Sequence, residues 1–158
     1  KARKVREGDD ITLVAISYMV IEAIHAAEFL ATHGINCEVL DLRTIAPLDW
    51  PSVFDSVNKT GRVLALDTGT TTGSVSSEIV ARIADECWDT LKCSPQRLAM
   101  PDYPESTSFA LTANYHVRAE HVVAKVGQML GRTIDTESLV TQREHPHDVP
   151  GDWFTGPF

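Results

Sequence analysis

The sequence predicts an α/β fold, a three-layer α/β/α sandwich around a mostly parallel sheet, and three observations carry that expectation. Short continuous apolar runs recur along the chain, and runs of that kind suit strands buried on both faces. Between them lie longer segments whose apolar residues repeat every three or four positions, the period of a helix with one buried side. Glycine and proline punctuate the junctions. Strands alternating with helices imply right-handed crossovers that cover both faces of a parallel sheet.

The elements follow in order. Gly8-Asp9-Asp10 reads as a turn into Ile11 to Ile16, the first apolar run. From Val20 the period changes: Val20, Ile24, Ala27 and Ala31, flanked by Ala23 and Leu30, form a stripe that ends at His33 with Gly34 as the stop. Cys37 to Leu42 is the next strand, and Pro47 closes the loop after it. Asp49 is placed to cap a short helix with Pro51 in its first turn, where a missing N–H costs nothing; Lys59-Thr60-Gly61 stops it. Val63 to Leu66 is a further strand, and Asp67 to Thr72 is expected to be a loop. A long helix then carries Val75, Ile79, Ile83 and Cys87 on one stripe, with Val80, Ala84 and Leu91 beside it. Leu98 to Met100 is a short strand ending at Pro101, and Arg118 to Leu130 is a last helix, with Ala119, Val122, Val123 and Val126 inward and Gly131 as its stop. Residues 1–131 are therefore expected to form the domain, and the polar, aperiodic residues 132–158 a tail outside its core.

Composition narrows the classes. A chain of 158 residues with 43% hydrophobic and 23% charged residues suits one globular domain with a single core. Its net charge of −8 repels a phosphate backbone, and no basic stripe offsets it, so nucleic acid is not an expected partner. No apolar run approaches the roughly 18 residues of a membrane span and no basic-then-apolar leader opens the chain, which points to the cytoplasm, or to an organelle matrix after loss of a transit peptide. Cys37, Cys87 and Cys93 lack CxxC spacing and are expected to be buried small hydrophobes.

Candidate chemistry is sparse. The segment Asp67-Thr68-Gly69-Thr70-Thr71-Thr72-Gly73-Ser74 joins a strand to a helix, where free N–H groups could hold an anion; it lacks both a P-loop lysine and GxGxxG spacing, and a loop that lets the helix approach the sheet explains it better. His25, His33, His116, His121, His145 and His147 show no zinc spacing, and helix polarity accounts for His33. No G-x-S-x-G elbow is present. Asp41 and Arg43 read as a local ion pair. The stretch Pro101 to Leu111 is a proline-bounded surface path containing Asp102 and Tyr103. Trp153, Phe154 and Phe158 close an otherwise polar end, and aromatics so placed are expected to dock on a neighbouring subunit or back on their own domain.

Together, Asp41-Leu42-Arg43-Thr44, Pro47-Leu48-Asp49, Thr60-Gly61-Arg62 and Glu78-Ile79 resemble, in order and spacing, the C-terminal domain of transketolase-like thiamine diphosphate enzymes. The Leu42-to-Asp49 run looks most like the β subunits of 2-oxo acid dehydrogenase E1 components, although Asp67, Ser74 and Ser76 depart from that pattern. The resemblance implies a five-stranded sheet whose first strand, Lys4 to Arg6 here, runs antiparallel to the others. It implies thiamine diphosphate and Mg²⁺ in a complete enzyme, with none bound by this chain and no catalytic or metal-binding residue in it, since the cofactor loops belong to other domains. The expected partners are an E1 α subunit, a second β subunit and a lipoyl acyltransferase E2. Asp102, Tyr103, Trp153, Phe154 and Phe158 are the candidate contacts. Its role would be subunit assembly and E2 docking, and alone it would be a catalytically silent fragment. Two alternatives stay open: a domain of another transketolase-like enzyme, such as a sugar transketolase or deoxyxylulose phosphate synthase, or a stand-alone small-ligand module with polar groups converging from Ser17, Asp41 and Thr68.

Overall fold

Apolar runs that cannot be left in water pair side by side, and here they do so with matched registers. The computed structural model describes residues 1–149 and 151. Its strands are β1 (Arg3–Arg6), β2 (Ile11–Ala15), β3 (Cys37–Asp41), β4 (Val63–Thr70) and β5 (Gln96–Met100), in one five-stranded sheet of order β1-β3-β2-β4-β5. All pairings are parallel except β1 with β3, which is antiparallel. Leu13 lies opposite Val39 and Leu64, and Val14 opposite Leu40 and Ala65. Because strand side chains alternate between faces, this register divides the core in two.

One face packs Leu13, Val39, Leu64 and Leu66 under α1 (Tyr18–Thr32) and α4 (Ala119–Met129), and the other packs Val14, Leu40 and Ala65 under α2 (Trp50–Thr60) and α3 (Val75–Glu86). The result is the expected sandwich. Each fully buried leucine or valine contributes about 1.5–3 kcal/mol by leaving water. Gly8 passes so close to β3 that a Cβ there would sit 2.2 Å from the Cys37 carbonyl carbon. Asp49 caps α2 through Ser52, accepting from its N–H at 3.4 Å and its hydroxyl at 2.8 Å, and ties down the amino end by accepting from Ala2 N–H at 2.9 Å. These bonds, the hydroxyl first, hold the Asp49 carboxyl below its usual range.

The face under α2 also buries charge. Glu38 is fully buried on β3; it accepts from Ser56 Oγ at 2.6 Å and pairs with Lys59, with Lys4 at 3.4 Å. Thr12 Oγ1 joins the group at 2.9 Å from both Ser56 Oγ and Thr60 Oγ1. The bond to Glu38 raises the Lys59 ammonium above its ordinary value. This polar seam lies toward the amino ends of β2 and β3.

Four details differ from the sequence reading. β4 continues to Thr70, so four of the six residues of the expected loop are strand. α3 stops at Glu86, and a 3₁₀ turn at Trp88–Thr90 breaks the stripe before Leu91. Residues beyond Gly131 return to the core: Ile134 and Leu139, the latter in the short helix α5 (Glu137–Thr141), pack against the α1–α4 cluster. The reversal uses Gly127, where a Cβ would come within 2.7 Å of Arg132 O. A five-residue helix is too short to show a period, which is why composition alone reads it as tail. Cys37 and Cys87 are buried as expected, and burial pushes the Cys37 thiol up to about 12. Cys93 is only half-buried, because it follows the 3₁₀ turn rather than lying on the α3 stripe.

Candidate functional site at the carboxyl edge of the sheet

Four parallel strands end on the same edge, so the segments after β2, β3, β4 and β5 gather there. The connection from β2 runs to β3 on one side, and the chain from β3 crosses back over β2 to reach β4. Between β2 and β4 it therefore diverges, the place where open α/β sheets form a crevice.

The position at the start of α3 where an anion could have sat is filled by the protein itself. Asp67 accepts from Gly69 N–H and Ser76 N–H, each at 2.8 Å, so its own carboxylate occupies the α3 N-terminus. Asp102 secures the neighbouring loop, accepting from the Thr72 hydroxyl at 2.7 Å and the Thr72 N–H at 2.8 Å. Those bonds, the hydroxyl first, hold the Asp102 carboxyl below its usual range. Its neighbour Tyr103 points outward, 54% exposed, with its ring edge-on to Tyr115 and its carbonyl accepting from the Tyr115 hydroxyl at 3.2 Å. Phe109 and Leu111 are exposed later in the same connection, and Ile45 is exposed in the loop after β3. Of the other candidate contacts, Trp153, Phe154 and Phe158 lie outside the described residues.

None of the described crevices is lined by more than one of Ser17, Asp41 and Thr68. Asp41 turns to Arg43, accepting from its N–H at 3.1 Å and lying 3.9 Å from its Nε, the local pair expected. Thr68 instead lines a crevice with Tyr18, Met19 and Met100. Ser17 sits between β2 and α1 with a φ of 55°, in the left-handed region that non-glycine residues seldom occupy.

The most concentrated polar group at this edge joins α1 to α4. Glu22, 6% exposed, accepts from the Tyr18 hydroxyl at 2.6 Å, Ala119 N–H at 2.7 Å and Arg118 Nη1 at 3.3 Å. Arg118 Nη2 donates to the carbonyls of His147 at 2.7 Å and Val149 at 2.9 Å, fastening the C-terminal segment over the pair. His147 adds a second fastening through Thr112 Oγ1 at 3.1 Å and Phe109 O at 3.0 Å. Burial pushes the Glu22 carboxyl up, against the Ala119 amide that pulls it down, and burial also lowers the Arg118 guanidinium. His121 Nδ1 accepts from Arg118 N–H at 3.0 Å, so the neutral ring carries its proton on Nε2, and burial lowers its affinity for a second one.

Sequence reasoning missed Glu22, Glu38 and Arg118. Their one signal was a charged residue set among apolar neighbours on a face destined for the core. Among the described residues no cluster of three or more histidine, cysteine, aspartate or glutamate side chains is arranged to hold a metal ion, and no helix is long and apolar enough to cross a membrane.

Comparison with known proteins agrees with this architecture. The family model for the transketolase C-terminal domain matches residues 1–122. The 2-oxoisovalerate dehydrogenase subunit beta of Bacillus subtilis (strain 168) is 43% identical over 104 residues, which are 66% of this chain and 32% of that protein. The acetoin:2,6-dichlorophenolindophenol oxidoreductase subunit beta of the same organism is 35% identical over 131 residues, 83% of this chain and 38% of that protein. Among solved structures, a split-gene transketolase described as an inactive β4 tetramer superposes with a TM-score of 0.71 at 28% identity, covering 85% of this chain and 43% of that one. The chain thus spans about a third of the length of these two curated relatives. With the family model covering most of its length and the antiparallel-first sheet in place, the chain belongs to the transketolase C-terminal domain family.

Proposed function

We propose that this chain is the C-terminal domain of the β subunit of a thiamine diphosphate-dependent 2-oxo acid dehydrogenase E1 component. The observation that carries the reading is its 43% identity to a 2-oxoisovalerate dehydrogenase β subunit, together with similar matches to acetoin and pyruvate enzymes. In this reading thiamine diphosphate and Mg²⁺ supply the decarboxylation chemistry and are held by other domains. This chain supplies assembly: it braces those domains, extends the contact with an α subunit and a second β subunit, and offers a surface to a lipoyl acyltransferase. The polar groups of its sheet edge support that division, since Asp67, Asp102 and Glu22 are all spent on internal hydrogen bonds. The exposed side chains of Tyr103, Phe109 and Leu111 are the contact residues, with Asp102 holding the Tyr103 loop in place. Trp153, Phe154 and Phe158 are further candidate partner contacts by their side-chain chemistry. The compartment that fits is the cytoplasm.

The test is reconstitution of the whole β subunit carrying this domain with its α partner, assayed for decarboxylation of pyruvate and 2-oxoisovalerate while assembly is followed by light scattering. Tyr103→Ala with Phe109→Ala should weaken assembly tenfold or more and leave turnover per assembled complex unchanged. Full assembly with lost turnover would place chemistry in this domain and defeat the reading.

A further inference from the structure

Among the described residues two buried side-chain nitrogens have no hydrogen-bond partner, His116 Nε2 and Arg118 Nε, and both residues line the same crevice at the carboxyl edge. At about 230 Å³ the crevice far exceeds the roughly 10–15 Å³ a single water needs. His116 Nε2 lies 2.9 Å from Glu105 Oε1 but is not aligned as a hydrogen bond. Arg118 is the stronger signal. Its side chain is 6% exposed, Nη1 and Nη2 are engaged by Glu22 and two carbonyls, and Nε–H alone is left as a desolvated donor. A buried donor of this kind calls for an acceptor.

The walls say what kind of acceptor. Met19, Met100, Val117 and the Tyr18 ring supply apolar surface, with Thr68 beside them. The Arg118 charge is already matched by Glu22, while Asp148 lines the crevice and Glu105 faces His116. The surplus charge is negative, so an anion is repelled and a neutral oxygen is not. We propose that this crevice binds a small uncharged carbonyl compound, an amide or ketone with a branched apolar body, whose oxygen accepts from Arg118 Nε–H and whose alkyl groups lie against Met19, Met100 and Val117. This site is independent of the assembly role.

The experiment titrates the ¹⁵N-labelled 158-residue chain with isobutyramide and follows the Arg118 Nε–Hε cross-peak and the Met19 and Met100 methyls. Isobutyrate, of the same shape but carrying a negative charge, is the comparison. The expected result is a saturable shift with isobutyramide and at least tenfold weaker binding of isobutyrate. Met100→Phe, which narrows the crevice while leaving the Glu22–Arg118 bonds intact, should weaken isobutyramide binding tenfold or more. An unshifted Nε–Hε peak, as in a crevice holding water only, overturns the proposal. Equal binding of the two probes overturns it as well, and so does a Met100→Phe variant that binds as tightly as the parent.

Discussion

Replacing Glu22 by alanine should remove a large part of this domain's stability. The substitution takes the acceptor from three donors at once: Tyr18 hydroxyl, Ala119 N–H and Arg118 Nη1. The dominant loss is electrostatic, because the Arg118 side chain is 6% exposed and would keep a buried charge without its partner. Breaking a buried pair in this way costs about 3–5 kcal/mol, against a typical domain stability of about 5–15 kcal/mol. With a urea slope of about 2 kcal/mol/M, the midpoint should fall by about 2 M, read by far-ultraviolet circular dichroism. The raised Glu22 carboxyl adds a second expectation, since it means that desolvation outweighs what the ionised pair returns. Replacing both members by apolar residues, Glu22→Leu with Arg118→Met, should therefore recover most of the loss. The recovery stays incomplete because the Tyr18 hydroxyl and Ala119 N–H still lose Glu22 as acceptor and the His147 and Val149 carbonyls lose their donor. A midpoint change worth less than about 1 kcal/mol for Glu22→Ala, or a double variant no more stable than the single one, would refute this account.

Three further outcomes are expected. His121 binds its second proton less readily when folded than when unfolded, so stability should be flat above about pH 7, fall as pH drops through the ordinary histidine value of about 6.5, and level off below the folded value; His121→Gln, which keeps an acceptor for Arg118 N–H, should remove that slope in urea midpoints measured across pH. Asp67→Asn leaves one oxygen where two N–H groups now have one each, and should cost about 1–2 kcal/mol in the same denaturation assay. Gly8→Ala drives a methyl into the β3 backbone 2.2 Å away and should cost about 1–3 kcal/mol or more, seen as a lowered thermal midpoint; a variant as stable as the parent would show that the turn can move aside.

Most of the architecture was legible from the residues because burial writes a period into the chain. Ile11 to Ala15 and Cys37 to Asp41 are mostly apolar strands because both their faces are covered, and the α1 and α4 stripes repeat as helices with one buried side must. Asp49 and Gly61 marked the ends of α2 through local chemistry alone: a carboxylate facing a first-turn N–H, and a left-handed residue at φ 72°. The direction of β1 came from family resemblance, since a four-residue strand carries no record of which way its partner runs. What only the tertiary structure decided was pairing across distance. Glu22 and Arg118 stand 96 positions apart, and nothing in either local sequence announces the other. The same holds for Glu38 with Lys59, for Asp102 with Thr72, and for the return of Leu139 to the core. Local sequence determines elements because propensity and period act over a few residues; it leaves the partners of buried polar groups undetermined, because those partners are chosen by the packing that brings the elements together.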